Sequence, residues 1–254
     1  RGDLGTHRTM MVHVSLFTDV QGQIKDIYNE WLVNVQSALR NYSKLSPEKA
    51  EEIHHIHMLH QVWDEFSLTN IAGVSWECIL NDYLWKATEP VCVRAVNSKT
   101  GAASLDYYAH IEDGLRVIAV GGNSMSRGLT LEGLCVSYFF RNTQMYDTLM
   151  QMGRWFGYRP NYGDLVKIWL SIDAIDWYGQ ITRAAEELKD EITAMRNAHQ
   201  TPRDFGLKVR QDPGTLIVTA RNKMRTATQL NQPVTVSGHL LETPRLKSAP
   251  VILK

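Results

Sequence analysis

Five short apolar runs, separated by segments with helical spacing, constrain this chain more than any other feature. They are residues 9–16 (TMMVHVSL), Val91 to Val96, Leu115 to Val120, Leu134 to Phe140 and Val166 to Leu170. Short apolar strands that alternate with helices predict an α/β fold with a mostly parallel sheet. The first run is followed by Thr18-Asp19, a helix-cap signal, and then by Ile24, Ile27, Trp31, Val35 and Leu39 at helical spacing. That spacing predicts a helix over 20–41. Ser46-Pro47-Glu48 reads as a cap with proline at the first helical position, opening a second helix that runs to about Phe66. Further helices are expected over 75–86, from about Met145 to Phe156, and over 173–198. Residues 42–88 then form a helical insertion in a domain spanning 1–198. The stretch 199–254 is an appended extension, rich in turns and β-forming around Thr215–Thr219 and Val234–Val236.

Composition narrows the function classes. With 44% hydrophobic and 21% charged residues over 254 positions, the chain can bury a sizeable core. Lys plus Arg and Asp plus Glu both number 27, so no global cationic field exists and a nucleic-acid site must be a local patch. One such patch is Arg203, Lys208, Arg210, Arg221, Lys223 and Arg225, set against Asp204 and Asp212. It could follow a phosphate backbone, or it could be an ordinary solvated β surface. Cys78, Cys92 and Cys135 form no CxxC pair and are odd in number, which predicts a reducing, cytoplasmic setting. No run nears the roughly twenty apolar residues of a membrane helix. The opening Arg1-Gly2-Asp3, in place of Met, predicts a piece of a longer protein.

The candidate chemistry lies between residues 115 and 170. A strand enters Gly121-Gly122-Asn123-Ser124-Met125-Ser126-Arg127-Gly128-Leu129-Thr130, and a helical segment carries Gln151-Met152-Gly153-Arg154-Trp155-Phe156-Gly157-Tyr158-Arg159. Gly121-Gly122 alone would be no more than a tight turn, and a lone Gly-Arg pair is usually structural. Together and in this order they resemble motifs V and VI of the second RecA-like lobe of superfamily-two helicases. The fuller string, Arg127-Gly-Leu-Thr-Leu-Glu-Gly133 followed by the Gln151 to Arg159 segment, resembles the Z-one (Z1) domain. That family accompanies superfamily-two ATPase modules in prokaryotic and viral proteins and is labelled an endonuclease domain.

The resemblance implies a RecA-like three-layer lobe that completes an ATP–Mg²⁺ site held mainly by a separate N-terminal lobe. It also implies contact with nucleic acid, DNA in the first place, in host defence or restriction. Carried onto this chain, Arg154 and Arg159 become candidate arginine fingers and Gln151 a partner for phosphate or water. Gly121, Gly122, Ser124, Ser126, Arg127, Gly128 and Gly153 become candidate nucleotide contacts. The helicase pattern sets two arginines three apart, whereas these are five apart, so either can be the finger, with Arg154 preferred. No GxxxxGK[ST] occurs, so the chain alone is not expected to hydrolyse ATP. Two rivals remain: a metal-dependent endonuclease, and a degenerate lobe that serves only as an interaction module.

Other chemistry-bearing clusters read as surface. Asp64-Glu65 follows a helical pattern and not the apolar strand of a Walker B site. His54, His55, His57 and His60 drift around a helix without cysteine partners, which favours an exposed face over a metal site. Asp173, Asp176, Glu187 and Lys189 match a nuclease set in type only, because a nuclease carries its Glu-x-Lys on a strand.

Overall fold

Strands covered on both faces need no polar alternation, and all five apolar runs become strands. The computed structural model describes residues 5–97, 100, 105–122, 125, 130–140, 146–153 and 162–199. Among them, β1 (Arg8–His13), β2 (Val91–Val96), β3 (Arg116–Gly121), β4 (Leu134–Phe139) and β5 (Lys167–Leu170) form one parallel sheet. Its order is β2-β3-β1-β4-β5. The chain leaves the central strand for one edge, returns beside it as β3, and then crosses to its other side for β4 and β5. The α/β expectation with a parallel sheet therefore holds.

Alternate side chains of the central strands feed two cores. Val12, Val93, Ile118 and Val120 pack with Leu32 of α1 (Thr18–Tyr42) on one face. Met11, Val117, Ala119 and Phe139 pack on the other with Leu149 and Met152 of α7 (Tyr146–Gly153) and Ile181 of α8 (Ile172–Asn197). α1 differs from its expected phase. Ile27 and Trp31 are exposed, and the buried stripe runs through Tyr28, Leu32, Val35 and Leu39. This helix is apolar on more than one side, and the sheet selects the row that meets it. Its cap also shifts by one residue. Phe17 is the N-cap, its N–H bonded to Ser15 Oγ at 3.1 Å, and Thr18 and Asp19 sit in the first turn.

The second half of α1 carries the insertion. Val35, Ala38 and Leu39 pack with Ala50, Ile56 and Leu80, and with Trp76 and Trp85 around them. The single helix expected from Ser46 to Phe66 is two, α2 (Pro47–Glu51) and α3 (His54–Glu65), broken where Ile53 takes an extended conformation. A further helix, α4 (Leu68–Ala72), follows. The helix expected over 75–86 begins as α5 (Trp76–Cys78), passes through a π-helical turn (Ile79–Leu84) and ends as α6 (Trp85–Thr88). The Arg116 guanidinium closes this element, with Nη1 donating to the carbonyls of Lys86 and Ala87. Glu51 gathers the histidine-rich α3. It accepts from Trp76 Nε1 at 3.1 Å, while His57 Nδ1 and His60 Nδ1 lie 3.2 and 2.8 Å from its oxygens.

Burial holds the phenols of Tyr178, Tyr107 and Tyr28 above the ordinary tyrosine range. The folded state therefore keeps protons that the unfolded chain releases. This stabilisation is intact below a pH of about 10 and is lost as pH rises beyond it. Urea melts repeated across that range should show the decline. Tyr178→Phe should flatten it by up to about 1.4 kcal/mol per pH unit, the value of one proton. A slope identical in the variant would show that Tyr178 contributes nothing to it.

Candidate functional site at the carboxyl edge of the sheet

Open parallel sheets bind ligands outside the carboxyl ends of their strands, where the order of connection reverses. Here that point is the end of β1, flanked by β3 and β4. Val14 N–H reaches Gly121 O at 3.4 Å and Phe140 N–H reaches His13 O at 3.0 Å, so three strand ends are tied together. The His13 ring is fully buried and stacks on Phe139 with centroids 4.6 Å apart. Just beyond, the amide of Gln21 on the first turn of α1 donates through Nε2 to Ser15 O at 2.8 Å. Gln21 is almost wholly buried, and its Oε1 has no hydrogen-bond partner among the described residues.

The glycine pair completes this arrangement. A Cβ on Gly122 would collide with Ser15 O and stand 2.7 Å from Gln21 Nε2, and one on Gly121 would collide with Val96 O. The pair thus lets the end of β3 press against the β1–α1 connection and against β2. Gly122 O also accepts from Met125 N–H at 3.0 Å. Around this edge the described groups offer hydrogen-bonding amides and carbonyls, together with the N-terminus of a 25-residue helix. The edge is also apolar. Leu16, Phe17, Val20 and Phe140 are exposed, Phe17 by 72% and Phe140 by 64%.

Gln151, Gly153 and the glycine pair are the sequence-selected residues that the structure describes. Gln151 is exposed on α7, whereas Leu149 and Met152 are buried. Gly153 lies against α8, where an added Cβ would stand 3.0 Å from Tyr178 Cε1. Ser124, Ser126, Arg127, Gly128, Arg154 and Arg159 fall outside the described residues, as does the basic set Arg203, Lys208, Arg210, Arg221, Lys223 and Arg225. Asp64 and Glu65 are exposed at the end of α3, and Asp173, Asp176, Glu187 and Lys189 are exposed on α8. Those two sets occupy helices and not the strand on which a nuclease carries its Glu-x-Lys.

His13, Ser15 and Gln21 were not singled out from the sequence. A histidine inside the apolar run Met10-Met11-Val12-His13-Val14 was the available signal for the first. Nothing in Val20-Gln21-Gly22-Gln23 separates a buried glutamine from a solvated one. No described helix is long and apolar enough to cross a membrane. No curated protein and no solved structure matches this chain. The Z1 domain model matches residues 1–217, and the chain belongs to the Z1 domain family.

Proposed function

We propose that this chain is the second lobe of a superfamily-two helicase-like, DNA-directed ATPase. It completes an ATP–Mg²⁺ site whose phosphate cradle belongs to a separate N-terminal lobe, and it grips nucleic acid. The observation that carries this reading is the junction of β3 with the β1–α1 connection. There Gly121-Gly122, the entry to the motif V-like segment, is packed into the switch point of a parallel sheet. The exposed Leu16, Phe17, Val20 and Phe140 along that edge suit a face that another lobe covers. In this reading Arg154 or Arg159 stabilises charge on the transferring phosphoryl group, and Gln151 orients phosphate or water.

Joined to its ATPase lobe, the protein should hydrolyse ATP with DNA stimulation, whereas residues 1–254 alone should show no turnover. Activity of the chain by itself would overturn the reading, and so would a joined protein without activity. The nucleic-acid half has its own test. Changing Arg221, Lys223 and Arg225 together to Ala should flatten the log–log salt dependence of DNA binding by roughly two units, since each phosphate contact contributes about 0.7 to 0.9. An unchanged slope would make the patch an ordinary solvated surface.

A further inference from the structure

Helix α3 holds one imidazole that its neighbours orient while leaving it a nitrogen to offer. His57 is engaged at both ring nitrogens, with Nδ1 3.2 Å from Glu51 Oε2 and Nε2 3.0 Å from Gln61 Nε2. His60 differs. Its Nδ1 lies 2.8 Å from Glu51 Oε1, an approach that a carboxylate oxygen makes to a protonated nitrogen, so Nε2 carries the lone pair of the neutral ring. The ring lies flat against Trp76, with centroids 4.7 Å apart and planes 5° from parallel. Trp76 Nε1 donates to the same Glu51 oxygen at 3.1 Å, so carboxylate and imidazole are held together. One helical turn on, Asp64 Oδ2 lies 3.7 Å from His60 Nε2.

A Zn²⁺ ion held by imidazole and carboxylate at about 2.0 to 2.1 Å, at a tetrahedral angle, sets the two ligand atoms roughly 3.4 Å apart. His60 Nε2 and Asp64 Oδ2 therefore stand close to the separation that one ion bridges, and the exposed Asp64 side chain can turn to close the difference. A metal-bound histidine characteristically gives its other N–H to a carboxylate, which fixes the tautomer and raises the basicity of the ligating nitrogen. Glu51 occupies that place. The geometry points to a site for a divalent transition metal on α3, with His60 Nε2 and Asp64 as ligands and Glu51 as a positioning residue. No third His, Cys, Asp or Glu joins them among the described residues, so water fills the remaining positions. Imidazole with one carboxylate suits Zn²⁺, Ni²⁺ or Cu²⁺ and not Mg²⁺, which takes oxygen ligands. This inference does not rest on the second-lobe reading.

Calorimetric titration of the full chain with Zn²⁺ should show one ion bound, and titration with Mg²⁺ none. Asp64→Asn and His60→Gln should each abolish the Zn²⁺ binding. Glu51→Gln should weaken it about 10- to 100-fold, the usual cost of losing the group behind a ligating histidine. Cu²⁺ on Nε2 should quench the fluorescence of Trp76, and Asp64→Asn should remove that quenching. Changing His54 and His55 together to Ala should leave Kd at its wild-type value. Asp64 is 70% exposed, so Asp64→Asn decides the matter even where the His60 variant fails to fold. Zn²⁺ binding that survives Asp64→Asn, or that disappears with His54 and His55, would overturn the inference, as would wild-type protein that takes up no Zn²⁺.

Discussion

On the proposed second-lobe reading, Arg154→Ala in the protein joined to an ATPase lobe should lower the turnover number about a thousandfold while the melting temperature and KM for ATP stay near wild type. In phosphoryl transfer most of the catalysis is positioning plus charge stabilisation, and a guanidinium delivered from the second lobe supplies the latter. On the proposed reading a separate P-loop lobe carries substrate binding, so removing the guanidinium should leave that binding largely intact. A fall in kcat at constant KM is the signature of an interaction made only in the transition state. Arg159→Ala should show the larger loss instead if the five-residue spacing moves the finger along the segment. Lysine at the effective position should restore little, because it lacks the planar fork that bridges two phosphate oxygens. If neither alanine variant changes hydrolysis, the segment from Gln151 to Arg159 does not act as motif VI.

The sheet was legible because a strand covered on both faces leaves a simple mark, an unbroken apolar run. β3 reads as Arg-Val-Ile-Ala-Val-Gly and needs no partner to be recognised. Helix phase was harder. Ile24, Ile27, Trp31, Val35 and Leu39 form a regular row, yet two of its members face solvent and Leu32 from the neighbouring row takes the core. Both rows satisfy helical periodicity, so the choice belongs to the sheet and lies beyond the helix's own sequence. The break between α2 and α3 was invisible for a related reason. Nothing like a glycine or proline marks residues 52 and 53, yet Ile53 takes an extended conformation there and packs beside Ile56 in the insertion's small core.

At the site, residue type was legible and contact was not. Gly121-Gly122 stood out as a pair, but the sequence gives a turn and a close approach the same letters. The structure attaches the pair to particular atoms, Ser15 O, Gln21 Nε2 and Val96 O. Those partners lie about a hundred residues earlier in the chain or on an edge strand, a separation no local pattern spans. Gln21 illustrates the limit from the other side. It is a buried amide on a helix whose neighbours Gln23 and Lys25 are polar, and only the register of β1 beside β3 brings it under the glycine pair.

Gly122→Ala and Gly22→Ala should move stability in opposite directions, although both add the same methyl group. At Gly122 the new Cβ meets a backbone carbonyl, Ser15 O, and the amide that donates to it. A backbone oxygen fixed between two strands cannot swing aside as a flexible side chain can, so the β1–α1 connection must move. Overpacking of this kind costs about 3 kcal/mol, and the Gln21–Ser15 hydrogen bond is strained with it. For a chain of this size that corresponds to a fall in melting temperature of roughly 6 to 12 °C. At Gly22, inside α1, no atom lies within 4 Å of the added Cβ. There the methyl group only removes backbone freedom from the unfolded chain, which should stabilise by about 1 kcal/mol. Thermal melts of the two variants side by side decide the matter. Equal shifts, or a tolerated Gly122→Ala, would mean that the end of β3 does not press on Ser15. The carboxyl edge would then be looser than the proposed phosphate site requires.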